Sequence, residues 1–161
     1  MKGGYAVKAT GWQASQSEIA LLVAARHRDP FALLGSHGVA EGWVIRAFVP
    51  HAERVAAVSV RGEEILELEP RADGFFEGLL IAQTARPRYR LRAANAGGAW
   101  EFDDPYAFAP VLGAIDEHLL VEGTHRKLHE RLGAQLRTHE NVAGVHFAVW
   151  APHAQRVSVV G

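Results

Sequence analysis

The alternation of apolar and polar residues divides the chain into one helical stretch followed by several short strands. Ser15 and Glu18 have the spacing of a helix capping box, and apolar residues then recur on one helix face. Pro30 ends this pattern because a proline ring cannot continue a helix. A short amphipathic helix is therefore predicted over residues 15–28, and residues 1–14 are expected to form a flexible leader.

After Gly35 the apolar period changes to two, the period of a β-strand with one buried face. Turn-forming residues separate the alternating runs, and residues 36–38 are predicted as one such turn. Six strands are predicted, over residues 43–49, 55–60, 65–68, 75–81, 89–93 and 100–102. This spacing is typical of an antiparallel sandwich, so the predicted fold is mainly β, an immunoglobulin-like antiparallel β-sandwich preceded by a short α-helix.

The same alternation assigns the large aromatic side chains to faces of the sheet. Trp43 and Trp100 lie in phase with the aliphatic core positions and are expected to be buried. Phe48 and Trp150 lie out of phase, which favours contact with a ligand or another module. Aromatic rings stack on the flat apolar faces of sugars. The candidate residues for contact with a glucan or a module interface are Phe48, Trp100, Tyr106 and Trp150.

Part of the sequence occurs twice. Residues 42–59 and 144–161 align without a gap, and residues 50–55 are identical to residues 152–157 at five of six positions. This similarity indicates a tandem repeat. Because the second copy covers only two strands, residues 134–161 are expected to be the truncated start of a second, similar sandwich.

Composition excludes several classes of partner. The 17 basic and 18 acidic residues give a net charge of -1, without the basic excess that nucleic acid binding requires. No apolar run approaches the roughly 20 residues that span a bilayer, so neither nucleic acid nor a membrane is an expected partner. The chain contains no cysteine, which favours a reducing compartment, and a cytoplasmic location is expected.

Few residues are candidates for catalysis or metal binding. His125 and His129 have the i, i+4 spacing of two ligands on one helix face, but no third ligand is indicated and no metal site is predicted. The adjacent carboxylates at 63–64 and 103–104 are expected to be solvated turn residues, since neighbours on a strand face opposite ways. Without a phosphate-binding loop, dinucleotide fingerprint or nucleophile elbow, no cofactor and no catalytic residue are predicted.

Three segments resemble a known family when taken in their order: Asp-Pro-Phe-Ala-Leu-Leu-Gly at 29–35, Arg-Ala-Phe-Val-Pro at 46–50 and Asp-Pro-Tyr-Ala-Phe at 104–108. They are similar to the amino-terminal part of bacterial 1,4-α-glucan branching enzyme, of the α-amylase superfamily. Residues 145–152, Val-His-Phe-Ala-Val-Trp-Ala-Pro, look like the start of that family's carbohydrate-binding-type sandwich.

The resemblance implies a modular enzyme whose catalytic (β/α)₈ barrel follows two such sandwiches. Such enzymes cleave an α-1,4 linkage and transfer the chain to a glucose 6-hydroxyl, with catalytic residues in the barrel. Here it implies a sandwich over residues 29–110, a linker with a short helix over residues 111–133 and a second sandwich from residue 134.

The leading hypothesis is a non-catalytic accessory module of a glycogen branching enzyme, a glycosyltransferase of glycogen biosynthesis. The module would position an α-glucan, such as glycogen or a maltooligosaccharide, or the catalytic barrel of the parent enzyme. A purely structural docking module is one alternative, and the front of a debranching or trehalose-forming relative is another. No activity is expected of this chain alone.

Overall fold

A computed structural model describes residues 11–160, and their fold is mainly β. The chain forms two compact units, and the boundary between them along the sequence follows Ala107. Within residues 11–160, no helix has the length and apolar character needed to cross a bilayer.

The helix of the first unit, α1, covers Gln16–Val23. The predicted capping box is present: the Ser15 hydroxyl accepts a hydrogen bond from the Glu18 amide at 3.3 Å, and the Glu18 carboxylate accepts one from the Ser15 amide at 3.1 Å. The helix ends five residues before position 28, because Ala25 takes a left-handed conformation with φ of 53°. The amide of Arg26 then reaches back to the Leu21 carbonyl at 2.7 Å and closes the last turn.

Seven antiparallel strands follow, after a one-turn 3₁₀ helix at Pro30–Ala32. Their bounds are β1 Gly35–Val39, β2 Gly42–Phe48, β3 Arg54–Val58, β4 Glu64–Ala72, β5 Phe75–Ile81, β6 Arg90–Asn95 and β7 Gly98–Phe102. The hydrogen-bonded order is β1-β2-β5-β4-β3-β6-β7. The mainly β class predicted from alternation is confirmed.

Strand β4 joins the two layers of this sheet. Its first half, up to Leu68, pairs with β3, and its second half, from Glu69, pairs with β5. One core cluster contains Ile45 of β2 together with Val55 of β3 and Leu91 of β6, each at most 2% exposed. Side chains from both halves therefore pack face to face, as in a β-sandwich.

The turn predicted at residues 36–38 is wrong, because these residues belong to β1. Gly35 pairs with Arg46 and Val39 pairs with Gly42, so β1 and β2 form a hairpin. Glycine and serine are typical of turns, but β1 is an edge strand with one neighbour, where weak strand formers are tolerated.

The outer face of β2 and β5 is covered by α1 and the segments beside it. A second apolar cluster brings Ile19 and Leu22 of α1 onto Phe75 of β5. On the same face the Glu77 carboxylate, 1% exposed, accepts hydrogen bonds from the Ala14 amide at 3.0 Å and from Arg46 Nε at 3.3 Å. These contacts tie the residues before α1 to the sandwich.

The second unit repeats the element order of the first. It contains helix α2, Ala114–Glu122, a 3₁₀ turn at Leu128–Glu130, and a hairpin of β8, Gly133–His139, and β9, Val142–Ala148. Gly133 has a φ of 86° and pairs with Ala148, as Gly35, with φ of 89°, pairs with Arg46. The repeat in the sequence therefore extends in structure to the helix and the 3₁₀ turn that precede each hairpin.

Candidate functional site

Asp104 is the most buried carboxylate of those weighed for catalysis. The expectation that it is a solvated turn residue is wrong: it is 3% exposed, whereas Asp103 is exposed and pairs with Arg90. The Tyr89 hydroxyl donates to Asp104 Oδ2 at 2.6 Å, and the Tyr106 amide donates to Oδ1 at 2.9 Å. Burial raises the pKa of Asp104, and these two hydrogen bonds partly oppose the rise.

The contacts of Asp104 hold one end of the sandwich together. They fix the one-turn helix Pro105–Ala107 over the start of β1, where a Cβ on Gly35 would lie 2.2 Å from the Tyr106 carbonyl oxygen. The Arg86 guanidinium donates to the Ala107 carbonyl at 2.7 Å in the same region. Both oxygens of Asp104 thus accept hydrogen bonds from within the protein, which indicates a structural role for this carboxylate.

Two of the predicted aromatic candidates, Phe48 and Tyr106, pack against the same apolar cluster. Both are half-buried, and the cluster is the one that α1 forms with Phe75, here called the α1 cluster. The Tyr106 ring meets that of Phe31 edge-on, with ring centroids 4.9 Å apart. Phe31 is 47% exposed, so it presents more ring to solvent than either candidate. Sequence reasoning did not single out Phe31, although its position directly after Asp-Pro, at the start of a short turn, was a signal of exposure.

Trp100 lies away from those rings, on the edge strand β7. It pairs with Ala93 and so points to the core side of the sheet, yet it is 39% exposed while Ala93 is fully buried. The prediction that Trp100 is buried is wrong because β7 is the last strand of the sheet and the ring lies at the margin of the sandwich. A Cβ placed on the neighbouring Gly98 would meet no atom within 4 Å, so there is open space beside this hairpin turn.

Trp150, the fourth candidate, belongs to the second unit and follows β9. Its side chain is exposed, at 49%. Phe48, its counterpart in the repeat, is less exposed because it packs against the α1 cluster. Several other apolar side chains of β9 are about half exposed, including Val145 and Phe147. Among the described residues of this unit, Leu120 is the one hydrophobic residue that is buried.

The two histidines weighed as metal ligands are not equivalent. His125 Nε2 lies 2.9 Å from Asp116 Oδ1, and His125 Nδ1 accepts a hydrogen bond from the Lys127 amide at 3.2 Å. Both ring nitrogens are therefore engaged within the protein. The bond to His125 lowers the pKa of Asp116. His129 is exposed, and no group of three or more metal-ligating side chains occurs within residues 11–160.

These features place the first unit in the class of antiparallel β-sandwich modules. Its candidates for contact with a ligand or another module are aromatic rings at the margins of the sandwich, rather than an acid and base pair. A family model for the N-terminal domain of the α-1,4-glucan branching enzyme GlgB matches residues 15–106. The chain belongs to this family. Residues 131–161 match a second model, described as carbohydrate-binding module 48, the isoamylase N-terminal domain.

Relatives share this part of their sequence. The chain is 52% identical over 149 residues to the 1,4-alpha-glucan branching enzyme GlgB of Mesorhizobium japonicum, covering 92% of this chain and 20% of the relative. It is 53% identical over 138 residues to that of Paramagnetospirillum magneticum, covering 84% of this chain and 18% of the relative. The chain thus spans about a fifth of the length of these relatives. The predicted resemblance to branching enzymes is confirmed.

Proposed function

We propose that this chain is a non-catalytic N-terminal module of a cytoplasmic 1,4-α-glucan branching enzyme and that it holds glucan for the parent enzyme's barrel. The observation that carries this proposal is that the GlgB N-terminal model covers the sandwich, while the matched relatives are about five times longer. A branching enzyme has to hold a long chain while one segment is cut and transferred. A contact outside the barrel would fix how much of that chain is transferred.

The exposed rings support contact with a glucan. Glucose units have apolar C–H faces that pack on aromatic rings, and an exposed ring beside open space can accept them without rearrangement of the core. Trp100 meets both conditions, because it is 39% exposed and lies in the same hairpin as Gly98. We therefore place the first glucan contact of the first unit at Trp100.

A second candidate function is docking against the rest of the parent enzyme without contact to sugar. The edge-on pair of Phe31, which is exposed, and Tyr106, which is half-buried, favours it, because aromatic side chains are enriched in the cores of protein interfaces. This candidate places the module's contact surface at those rings and leaves Trp100 free.

Titration of the chain with maltoheptaose separates the two candidates. If the module holds glucan, the indole N–H signal of Trp100 should shift in NMR spectra, and Trp100→Ala should weaken binding by about tenfold, the scale of one lost stacking contact. The substitution Val60→Ala, also at an exposed apolar side chain, should leave binding unchanged. If none of the tryptophan signals shifts at saturating sugar, the docking function is favoured.

A further inference from the structure

A cleft lies at the tip of the β1–β2 hairpin, apart from the aromatic side chains considered above. It has a volume of about 350 Å³ and lies between the hairpin turn and the loop that follows β5. Trp43 lines it, together with Glu41 of the turn and Gln83 and Thr84 of the loop. We call it the Trp43 cleft.

The Trp43 ring is only partly covered. The sequence predicts a buried side chain, but Trp43 is half-buried because its strand begins here and its partner on β1 is Gly38. A Cβ at position 38 would be in van der Waals contact with the ring, 3.9 Å from its nearest atom. The glycine therefore leaves part of the indole open to the cleft.

The two walls of the cleft are held together by the backbone. The Ala82 amide donates a hydrogen bond to the Glu41 carbonyl at 3.2 Å. Gly42, with φ of 148°, lets the strands approach so closely that a Cβ there would lie 2.2 Å from the Leu80 carbonyl oxygen. The cleft is thus present before any ligand binds, which reduces the entropic cost of binding.

The polar side chains of the cleft are free to bind a ligand. Glu41, Gln83 and Thr84 are exposed, and their side chains form no hydrogen bond or ion pair with any residue in the described range 11–160. They supply a carboxylate, an amide and a hydroxyl, which together donate and accept hydrogen bonds. None of the described residues that line the cleft is basic, so they offer no cation to a phosphate group.

We infer that the Trp43 cleft binds a short segment of α-1,4-glucan, with the Trp43 ring as the apolar platform and Glu41, Gln83 and Thr84 as hydrogen-bond partners of sugar hydroxyls. An aromatic ring surrounded by polar side chains without partners suits a neutral polyhydroxyl ligand. It does not suit an anionic ligand. The choice of α-1,4-glucan rests on the proposed function, and the cleft is a site additional to Trp100.

The test uses the whole chain, maltoheptaose and the indole N–H signals of the four tryptophans. We expect the Trp43 signal to shift with sugar. The variant Gln83→Ala/Thr84→Val changes two exposed side chains without disturbing the core, and it should weaken the affinity reported by Trp43 about tenfold. Gln16→Ala, exposed on α1, is the matched control and should leave that affinity unchanged.

The tryptophan signals also separate this inference from the proposed function. A Trp100 shift with no Trp43 shift would overturn the cleft as a glucan site and keep the proposed function. If the affinity reported by the Trp43 signal is the same in the double variant as in the native chain, the assigned hydrogen-bond partners are wrong, and this inference is overturned with them. A Trp43 shift without a Trp100 shift would support the cleft and contradict the contact at Trp100.

Discussion

Asp103 and Asp104 are adjacent in sequence but lie in opposite environments. Asp103 is exposed and pairs with Arg90 at 3.0 Å, while Asp104 is buried against Tyr89. The difference arises because Asp104 can reach both the hydroxyl of Tyr89, just before β6, and the amide of Tyr106 two residues later. A buried carboxylate with two donors is stable in the fold, and it makes the stability of the fold depend on pH.

The pH dependence of stability should change when Asp104 can no longer titrate. Burial raises its pKa in the folded chain, so the folded chain binds this proton more tightly than the unfolded chain. The contribution of Asp104 to the free energy of unfolding therefore falls as pH rises from about 4, the ordinary aspartate pKa, through the raised pKa. The free energy of unfolding of Asp104→Asn minus that of the native chain should therefore become more positive as pH rises through that interval.

Urea unfolding at a series of pH values measures this change. Asp103→Asn is the control, because it removes the exposed neighbouring carboxylate and leaves the buried contacts of Asp104 in place. A profile for Asp104→Asn that runs parallel to that of the native chain would show that the Asp104 carboxyl titrates alike in the folded and unfolded chains, against this account.

At the scale of elements, the sequence pattern predicts the inner strands of the sheet better than its edge strands. Strands β2, β3 and β5 have a neighbour on both sides, and their period of two predicts them well. At the edges the same reasoning fails, because β1 is built from turn formers and the ring of Trp100 on β7 is in phase with the core yet exposed. Neither edge has the second neighbour that would enforce the pattern.

The candidate site was only partly predictable for a related reason. Trp100 was identified as an aromatic candidate, but its exposure depends on which strand ends the sheet, and that order is not visible in a local pattern. The burial of Asp104 and Glu77 depends on partners distant in sequence, Tyr89 for the first and Arg46 for the second. Alternation reports the face of a side chain, not the partner that covers it.

The attachment of α1 to the sandwich should depend on Glu77. This carboxylate lies between Arg46 and Arg71 and also holds the Ala14 amide just before the helix. Glu77→Gln keeps the size of the side chain but leaves two guanidinium groups beside a neutral one. We expect a loss of about 3 kcal/mol in the free energy of unfolding, as is typical when one partner of a buried ion pair is removed.

Thermal and urea unfolding report this loss, and amide exchange should show α1 among the first elements to lose protection. Glu67→Gln is a matched control on β4, because Glu67 pairs with Arg54 at 3.0 Å but both side chains are mostly exposed. Its effect should stay within about 0.5 kcal/mol. Equal losses in the two variants would contradict the role assigned to Glu77.

At the scale of the whole molecule, two units share one order of elements, a helix, a 3₁₀ turn and a hairpin. Even a local detail recurs, since His27 Nδ1 accepts from the Asp29 amide and His125 Nδ1 accepts from the Lys127 amide, each at 3.2 Å. The first unit completes its sandwich with further strands and buries its core. The first unit matches the GlgB N-terminal domain over residues 15–106, and the second unit matches carbohydrate-binding module 48 over residues 131–161.

The most direct test of the central claim, that this module positions glucan without taking part in the chemistry, is the branch-length distribution made by the full-length parent enzyme. It should be compared with that of the same enzyme lacking residues 1–110. We predict that the shortened enzyme still forms branches, because the catalytic groups belong to the barrel, but that the lengths of the transferred chains change and the affinity for glycogen falls. Unchanged chain lengths together with unchanged glycogen affinity would contradict the account.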